Sequence, residues 1–153
     1  MMQFHLFFSV FMCLSIHAIG QNITADLFQQ PANTGANMTV AINASSLDQY
    51  EGGQIGAFYD LNGDGSLQCV GVQPITTGFF GLALWGDDSF TPELDGLSSG
   101  AVPQFAILFE GNVILFNESP QFTGYVTNGI TNITDTDLPS QILYPIEDPY
   151  FLN

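Results

Sequence analysis

Apolar and polar residues alternate with a period of two along most of this chain. Met38, Val40 and Ile42 alternate within residues 37–43, which is the pattern of a strand with one buried face. Seven further short runs are rich in β-branched and aromatic residues and are separated by Gly, Asn, Asp, Ser and Pro; they are 54–59, 67–72, 79–85, 104–110, 112–116, 122–127 and 141–146. Roughly eight strands at this spacing predict an all-β fold, either a β-sandwich or a jelly-roll-like barrel.

Turn residues and composition divide the chain further. Gly111 and Asn112 predict a two-residue hairpin turn between two of the strands, and residues 128–140 predict a long loop. We expect a signal peptide at 1–20, an extended N-terminal segment at 21–36, a β-sandwich domain at 37–146 and an extended tail at 147–153.

The first twenty residues have the organisation of a secretory signal. Residues 6–14 are apolar, and Ala18-Ile19-Gly20 is a small-x-small cleavage site, so we expect the mature chain to begin at Gln21. The apolar run is shorter than the roughly 20 residues that a membrane span requires. Because no Lys or Arg precedes it, an uncleaved N-terminal anchor is the alternative. Either reading predicts an extracellular protein at or beyond the cell surface.

Charge excludes several classes of function. The chain has no Lys or Arg, both histidines precede residue 21, and all fifteen carboxylates follow it. Nucleic acids and anionic membrane surfaces are therefore excluded as partners, because both require cations on the protein. Triads, zinc sites and Schiff bases need His, Lys or paired Cys. Fifteen carboxylates always contain some glycosidase-like pair, so that signal carries no weight, and we predict that the protein is not an enzyme.

Cysteine gives no disulfide framework, because only Cys69 follows the predicted cleavage site. It lies in the apolar run 67–72, so a buried free thiol is favoured over an intermolecular bridge.

One acidic loop has the spacing of a calcium ligand set. Asp60, Asn62 and Asp64 supply oxygen atoms at positions 1, 3 and 5, and Gly65 at position 6 permits a sharp turn. An EF-hand would need a carboxylate where Gly71 stands, so we expect instead a calcium-binding loop between two strands. The alternative is an ordinary acidic turn, since Asn, Asp and Gly are common in turns.

A second acidic loop spans residues 85–96, in which Asp87, Asp88 and Asp95 are weaker calcium candidates. Repulsion between adjacent carboxylates is relieved either by a cation or by hydrogen bonds to backbone N–H groups.

Aromatic residues and glycosylation sequons provide two further sets of candidates. Tyr59, Trp85 and Phe90 lie in or beside these loops, where their rings are candidates to stack on a carbohydrate. Composition predicts roughly 1.4 N-x-S/T sequons, whereas five occur, at Asn22, Asn37, Asn43, Asn117 and Asn132. The excess indicates either glycosylation or polar alternation along strand edges.

An ordered set of segments occupies the middle of the chain, over about residues 33–110; they are TGANMTVAI, GGQIGAFYD, LQCVGV, LALWGDDSFTPELDGL and QFAIL. This set resembles a β-rich module of large secreted bacterial surface proteins. It implies an adhesive or structural role. It also implies a fixed architecture for the 85–96 loop, in which Asp and Thr cap backbone amides, and a core thiol at Cys69.

Two functions follow as expectations. The first is a secreted, self-assembling surface protein, such as a filament, sheath or matrix subunit, stabilised by calcium. In it, residues 21–33 or 143–151 add a strand to the sheet edge of a second copy. The second is an adhesive module that binds carbohydrate or other surface proteins.

Overall fold

The computed structural model describes residues 22–88 and 90–139 and the backbone of residues 142–143. Within this part of the chain, strands dominate and the helices are two short 3₁₀ turns, Ala25–Leu27 and Ser45–Tyr50. The strands are β1 (Asn37–Asn43), β2 (Gln54–Tyr59), β3 (Gln68–Pro74), β4 (Phe79–Trp85), β5 (Gln104–Phe109), β6 (Asn112–Phe116), β7 (Ile130–Thr134) and β8 (Ile142–Leu143).

The strands form two sheets, which confirms the predicted all-β, sandwich-like class. The first sheet has the order β4-β1-β7, in which β1 is antiparallel to β4 and parallel to β7. The second has the order β3-β2-β5-β6-β8, and all its pairs are antiparallel.

The main core lies between the sheets because successive strand residues point to opposite faces. Val40 from β1, Leu82 from β4 and Ile107 from β5 are fully buried there. Burying each such side chain contributes about 1.5–3 kcal/mol to the free energy of folding. Tyr125, outside the strands, adds a fully buried ring.

A second apolar cluster lies on the outer face of the five-stranded sheet, because that sheet is apolar on both sides. Ile23 and Phe28 from the N-terminal segment are buried against Phe58, Val72 and Ala106. The rings of Phe28 and Phe58 meet edge to face with centroids 4.9 Å apart. In this structure, therefore, the N-terminal segment covers its own sheet, and strand addition by residues 21–33 stays a prediction.

One predicted strand is wrong, and a strand occurs instead in the predicted loop at 128–140. Residues 122–127 form no strand, because Gly124 adopts a φ of 95°, which interrupts the extended backbone. Residues 130–134 form β7 because β1 offers them a parallel edge, and Ile133 then enters the core.

The predicted hairpin turn is displaced by one residue. Phe109 pairs with Asn112, so the two turn residues are Glu110 and Gly111, with φ of 50° and 80°. Positive φ at both positions is the geometry of a type I′ turn, whose twist matches that of the flanking strands.

The predicted signal peptide at 1–20 and the tail at 147–153 lie outside the described residues. No helix among the residues described here is long and apolar enough to cross a membrane.

Candidate functional site

The predicted calcium loop joins β2 to β3 and is closed by its own first carboxylate. The two oxygens of Asp60 accept hydrogen bonds from the backbone N–H groups of Asp64, at 3.1 Å, and Gly65, at 2.8 Å. Asp64 Oδ1 accepts from Ser66 N at 2.8 Å. The shape of this loop is thus already fixed by bonds between side chain and backbone.

Calcium binding by this loop stays a prediction. The fold brings Asp60, Asn62 and Asp64 into one short turn, as the spacing predicts, and Gly63 and Gly65 adopt the positive φ that the turn requires. Within the described ranges, no three His, Cys, Asp or Glu side chains are grouped as metal ligands. Any calcium here would need carbonyl, amide or water oxygens to complete its shell of six to eight ligands.

The second acidic loop joins β4 to β5 and is held by reciprocal bonds between its two sides. Asp88 N donates to Asp95 Oδ1 and Asp95 N donates to Asp87 Oδ1, both at 3.2 Å. Asp88 Oδ1 accepts from Phe90 N at 2.5 Å, and Thr91 Oγ1 donates to Asp95 Oδ2 at 3.4 Å. The carboxylates therefore cap backbone amides across the loop, which is one of the two alternatives for relieving their repulsion. Calcium binding by Asp87, Asp88 and Asp95 stays a prediction.

At the base of this loop, two glycines lie where there is no room for a Cβ. Gly86 and Leu97 form an isolated bridge, and a Cβ on Gly96 would strike the carbonyl group of Gly86. Thr34 Oγ1 donates to Gly86 O at 2.6 Å, and Gly86 N donates to Ala36 O at 2.8 Å. The segment preceding β1 is consequently fastened to the loop.

A cleft of about 380 Å³ opens where these two segments meet; its lining residues are Thr34, Gly35, Ala36, Asp87, Asp88, Phe90 and Thr127. The side chain of Phe90 is 96% exposed. One aromatic ring, two carboxylates and two hydroxyl groups border the same space. Because carboxylates are acceptors only, the cleft suits a ligand that is uncharged or cationic and rich in hydrogen-bond donors.

The three aromatic candidates are not brought together. Phe90 lines the cleft, whereas Tyr59 is partly buried against the main core. Trp85 is also partly buried, and its Nε1 has no hydrogen-bond partner among the described residues. The Asp60 loop does not line the cleft, so the two acidic loops do not form one site.

The sequons follow the strand alternation. Asn37 and Thr39 on β1, and Asn132 and Thr134 on β7, share the outward parity of their strands. The hydroxyl groups of two sequons are engaged by turn carboxylates: Ser45 Oγ donates to Asp135 at 2.9 Å, and Thr134 Oγ1 donates to Asp137 at 2.7 Å. Polar strand alternation thus accounts for the sequons at 37 and 132. Glycosylation of these two, and of exposed Asn22, Asn43 and Asn117, stays a prediction.

Cys69 is a free thiol that lies half-buried under the N-terminal segment rather than in the main core. Burial raises its pKa, against smaller lowering effects from hydrogen bonds with the backbone of Gly71 and Gln29. A thiol in this state is a weak nucleophile at neutral pH.

Backbone N–H groups, rather than Lys or Arg side chains, donate hydrogen bonds to many of the carboxylates. Among the described residues, eight aspartates each accept at least one backbone N–H; they are Asp48, Asp60, Asp64, Asp87, Asp88, Asp95, Asp135 and Asp137. The sequence did not single out Asp48 and Asp135, whose partners lie 30 and about 90 residues away, or Asp137, whose partner Thr134 is three residues earlier. The turn composition TDTD at 134–137 was the available signal for the last two.

Comparison with protein-family descriptions, with curated proteins and with solved structures finds no match for this chain.

Proposed function

We propose that this chain is a secreted structural protein that assembles with further copies of itself into an extracellular surface layer, filament or matrix. The observation that carries the proposal is the distribution of charge. All thirteen carboxylates in the described part of the chain lie in loops, turns or 3₁₀ helices, and none lies in a strand. The resemblance of residues 33–110 to modules of bacterial surface proteins agrees with this role.

This distribution matters because the protein has no cation with which to attract its own copies. Fifteen carboxylates repel a second copy wherever loops approach loops. If two copies meet through their sheets, their carboxylates do not face each other. Calcium, protons or salt would weaken the remaining repulsion between the carboxylates in the loops. Self-assembly is therefore expected to strengthen with ionic strength.

The test is sedimentation velocity and negative-stain electron microscopy of the secreted protein, with calcium or with EDTA, at low and high salt. We expect oligomers or ordered particles that increase with concentration and with salt. A protein that stays a monodisperse monomer at about millimolar concentration, in calcium and in high salt, would contradict the proposal.

A second candidate function, adhesion to carbohydrate, is favoured by the cleft beside Phe90. An exposed ring next to acceptor groups suits a neutral saccharide, whose C–H face stacks on the ring and whose hydroxyl groups donate to Asp87 and Asp88. A glycan array would measure binding by the wild type and by Phe90→Ala. Leu94→Ala, which truncates an exposed apolar side chain in the same loop but outside the cleft, is the control. Equal binding by both variants would exclude the cleft.

A further inference from the structure

The outer face of the three-stranded sheet is defined by strand parity. Met38, Val40 and Ile42 of β1 point into the core, as do Phe80, Leu82 and Leu84 of β4 and Ile133 of β7. The residues of opposite parity form the outer face: Asn37, Thr39, Ala41 and Asn43 on β1, Phe79, Gly81, Ala83 and Trp85 on β4, and Ile130, Asn132 and Thr134 on β7.

Three properties of this outer face bear on what it can contact. None of its eleven residues is charged. Two of its large apolar side chains are conspicuously accessible to solvent, Phe79 at 68% and Ile130 at 78%. The centre of the face carries no bulky side chain. A Cβ added to Gly81 would meet only Thr39 Cγ2 within 4 Å, at 3.8 Å, and the neighbouring Ala41 and Ala83 are small.

The five-stranded sheet does not offer an equivalent surface. Its outer face is covered by the N-terminal segment, whose Ile23 and Phe28 are buried against it. Of the two sheets, therefore, the three-stranded one presents the exposed, uncharged face.

We infer that the outer face of the three-stranded sheet is the surface through which two copies of this chain meet. This inference rests on the proposed self-assembly and names one of its contacts, since a closed dimer needs a further contact to extend into a layer or filament. It requires that Asn37, Asn43 and Asn132, the three sequon asparagines on this face, carry no glycan. Because the protein has no Lys or Arg, no surface of one copy is electrostatically complementary to a carboxylate-bearing surface of another. An uncharged face packed on its own counterpart is compatible, and the contact is isologous, so it produces a closed dimer.

The size of the face sets the strength of the contact. Strands β1 and β4 have seven residues each and β7 has five. The face therefore covers at most about 14 by 24 Å, which is below the roughly 800 Å² that each partner buries in a standard interface. The dimer is accordingly weak. Asp135 and Asp137 follow β7, and Asp87 and Asp88 follow β4, so like charges approach at the ends of the face. Salt therefore tightens the dimer.

Sedimentation equilibrium of the complete secreted protein tests the inference with variants of equal charge. Ile130→Glu and Phe79→Glu each place a carboxylate on the face. Val102→Glu, at an apolar residue that is 44% exposed and lies outside it, is the matched control. Each dimer of a face variant would enclose two new carboxylates in a contact that has no cation to neutralise them, so we expect the Kd to rise at least about tenfold for the face variants and less than about twofold for the control.

Disulfide trapping provides a second measurement. In a Cys69→Ala background, single cysteines at Thr39, Ala41 and Asn43 sample the outer side of the central strand. The one nearest the two-fold axis should form a covalent dimer on oxidation, whereas Val102→Cys should not; no covalent dimer from any of the three would contradict the inference. Thermal unfolding of each variant checks that it is folded.

The outcomes separate the inference from the proposed function. If the wild type associates but the face variants associate equally well, this face is not the contact and self-assembly stands. If the wild type is monomeric under every condition, both are wrong. If a neutral oligosaccharide competes with dimer formation and Phe79→Glu abolishes its binding, the face is a glycan platform and the inference of a second copy is overturned.

Discussion

Asp135 caps the start of a 3₁₀ helix that lies 89 residues earlier in the chain. Its Oδ1 accepts the backbone N–H of Ser46 at 2.8 Å, and its Oδ2 accepts the N–H and the hydroxyl group of Ser45 at 3.1 and 2.9 Å. One side chain thereby fastens the end of β7 to the end of β1. The parallel pairing of these strands and the cap support each other.

The first prediction concerns this cap. Asp135→Asn should lower the urea midpoint of unfolding at pH 7, because an amide oxygen replaces a carboxylate that accepts three hydrogen bonds. Asp26→Asn removes the same charge from an exposed residue and should leave the midpoint nearly unchanged. Equal effects of the two substitutions would show that net charge, not the cap, governs stability.

The second prediction is the pH dependence of the same residue. Hydrogen bonds from Ser46, and then from Ser45, lower the pKa of Asp135 to about 2 from its ordinary 3.8. A lowered pKa contributes stability that is fully present above pH 3.8 and is lost as the pH falls toward 2. The difference in urea midpoint between wild type and Asp135→Asn should therefore shrink between pH 4 and pH 2. A difference that is constant over this range would contradict the assignment.

The third prediction concerns the base of the loop between β4 and β5. Gly96→Ala should lower the free energy of unfolding by about 3 kcal/mol or more, because its Cβ would overlap the carbonyl group of Gly86 and approach Asp87 N to 2.7 Å. Gly81→Ala, on the open sheet face, should change it by less than about 1 kcal/mol. Urea unfolding of both variants measures the contrast, and a mild effect of Gly96→Ala would mean that the loop can move away from Gly86.

The fourth prediction separates the structural and calcium roles of the loop between β2 and β3. Asp60→Ala should lower the free energy of unfolding by about 1 kcal/mol even in EDTA, because Asp60 bonds to two backbone amides without any metal. Asp26→Ala serves as the control of equal charge. A loss that appears only when calcium is present would assign the carboxylate to the ion instead.

The fifth prediction concerns the single thiol after residue 20. Burial raises the pKa of Cys69, so its labelling by a disulfide reagent at pH 8 should be at least about tenfold slower in the native protein than in urea. Rapid labelling of the native protein would mean that the N-terminal segment opens readily. Non-reducing electrophoresis would reveal an intermolecular bridge, which the half-buried position disfavours.

Local alternation was sufficient to predict most strands. The runs at 37–43, 54–59, 79–85 and 112–116 begin and end in the structure where the sequence places them, because each alternates or is uniformly apolar between clear turn residues. The strand at 130–134 was missed because its partner, β1, lies about ninety residues away, and a parallel pairing leaves no hairpin signal.

The candidate site was predictable only in part. Asp and Thr in residues 87–95 indicated amide capping, and the bonds of Asp87, Asp88 and Asp95 agree. The meeting of Phe90 with Thr34 and Thr127 in one cleft was not predictable. This meeting depends on the hydrogen bond from Thr34 Oγ1 to Gly86 O, which joins residues 52 positions apart and cannot be read from local spacing.

The parallel pairing of β1 with β7 also limits when the three-stranded sheet can be completed during synthesis. β1 is synthesised early, but one of its two neighbours in the sheet follows about ninety residues later. A nascent chain that ends before residue 130 therefore presents an unpaired edge on β1, which is open to any other strand. Closure of this sheet is a late, non-local event that we expect to be slow, so the unfinished chain is the stage at which a chaperone would have the most exposed backbone to recognise.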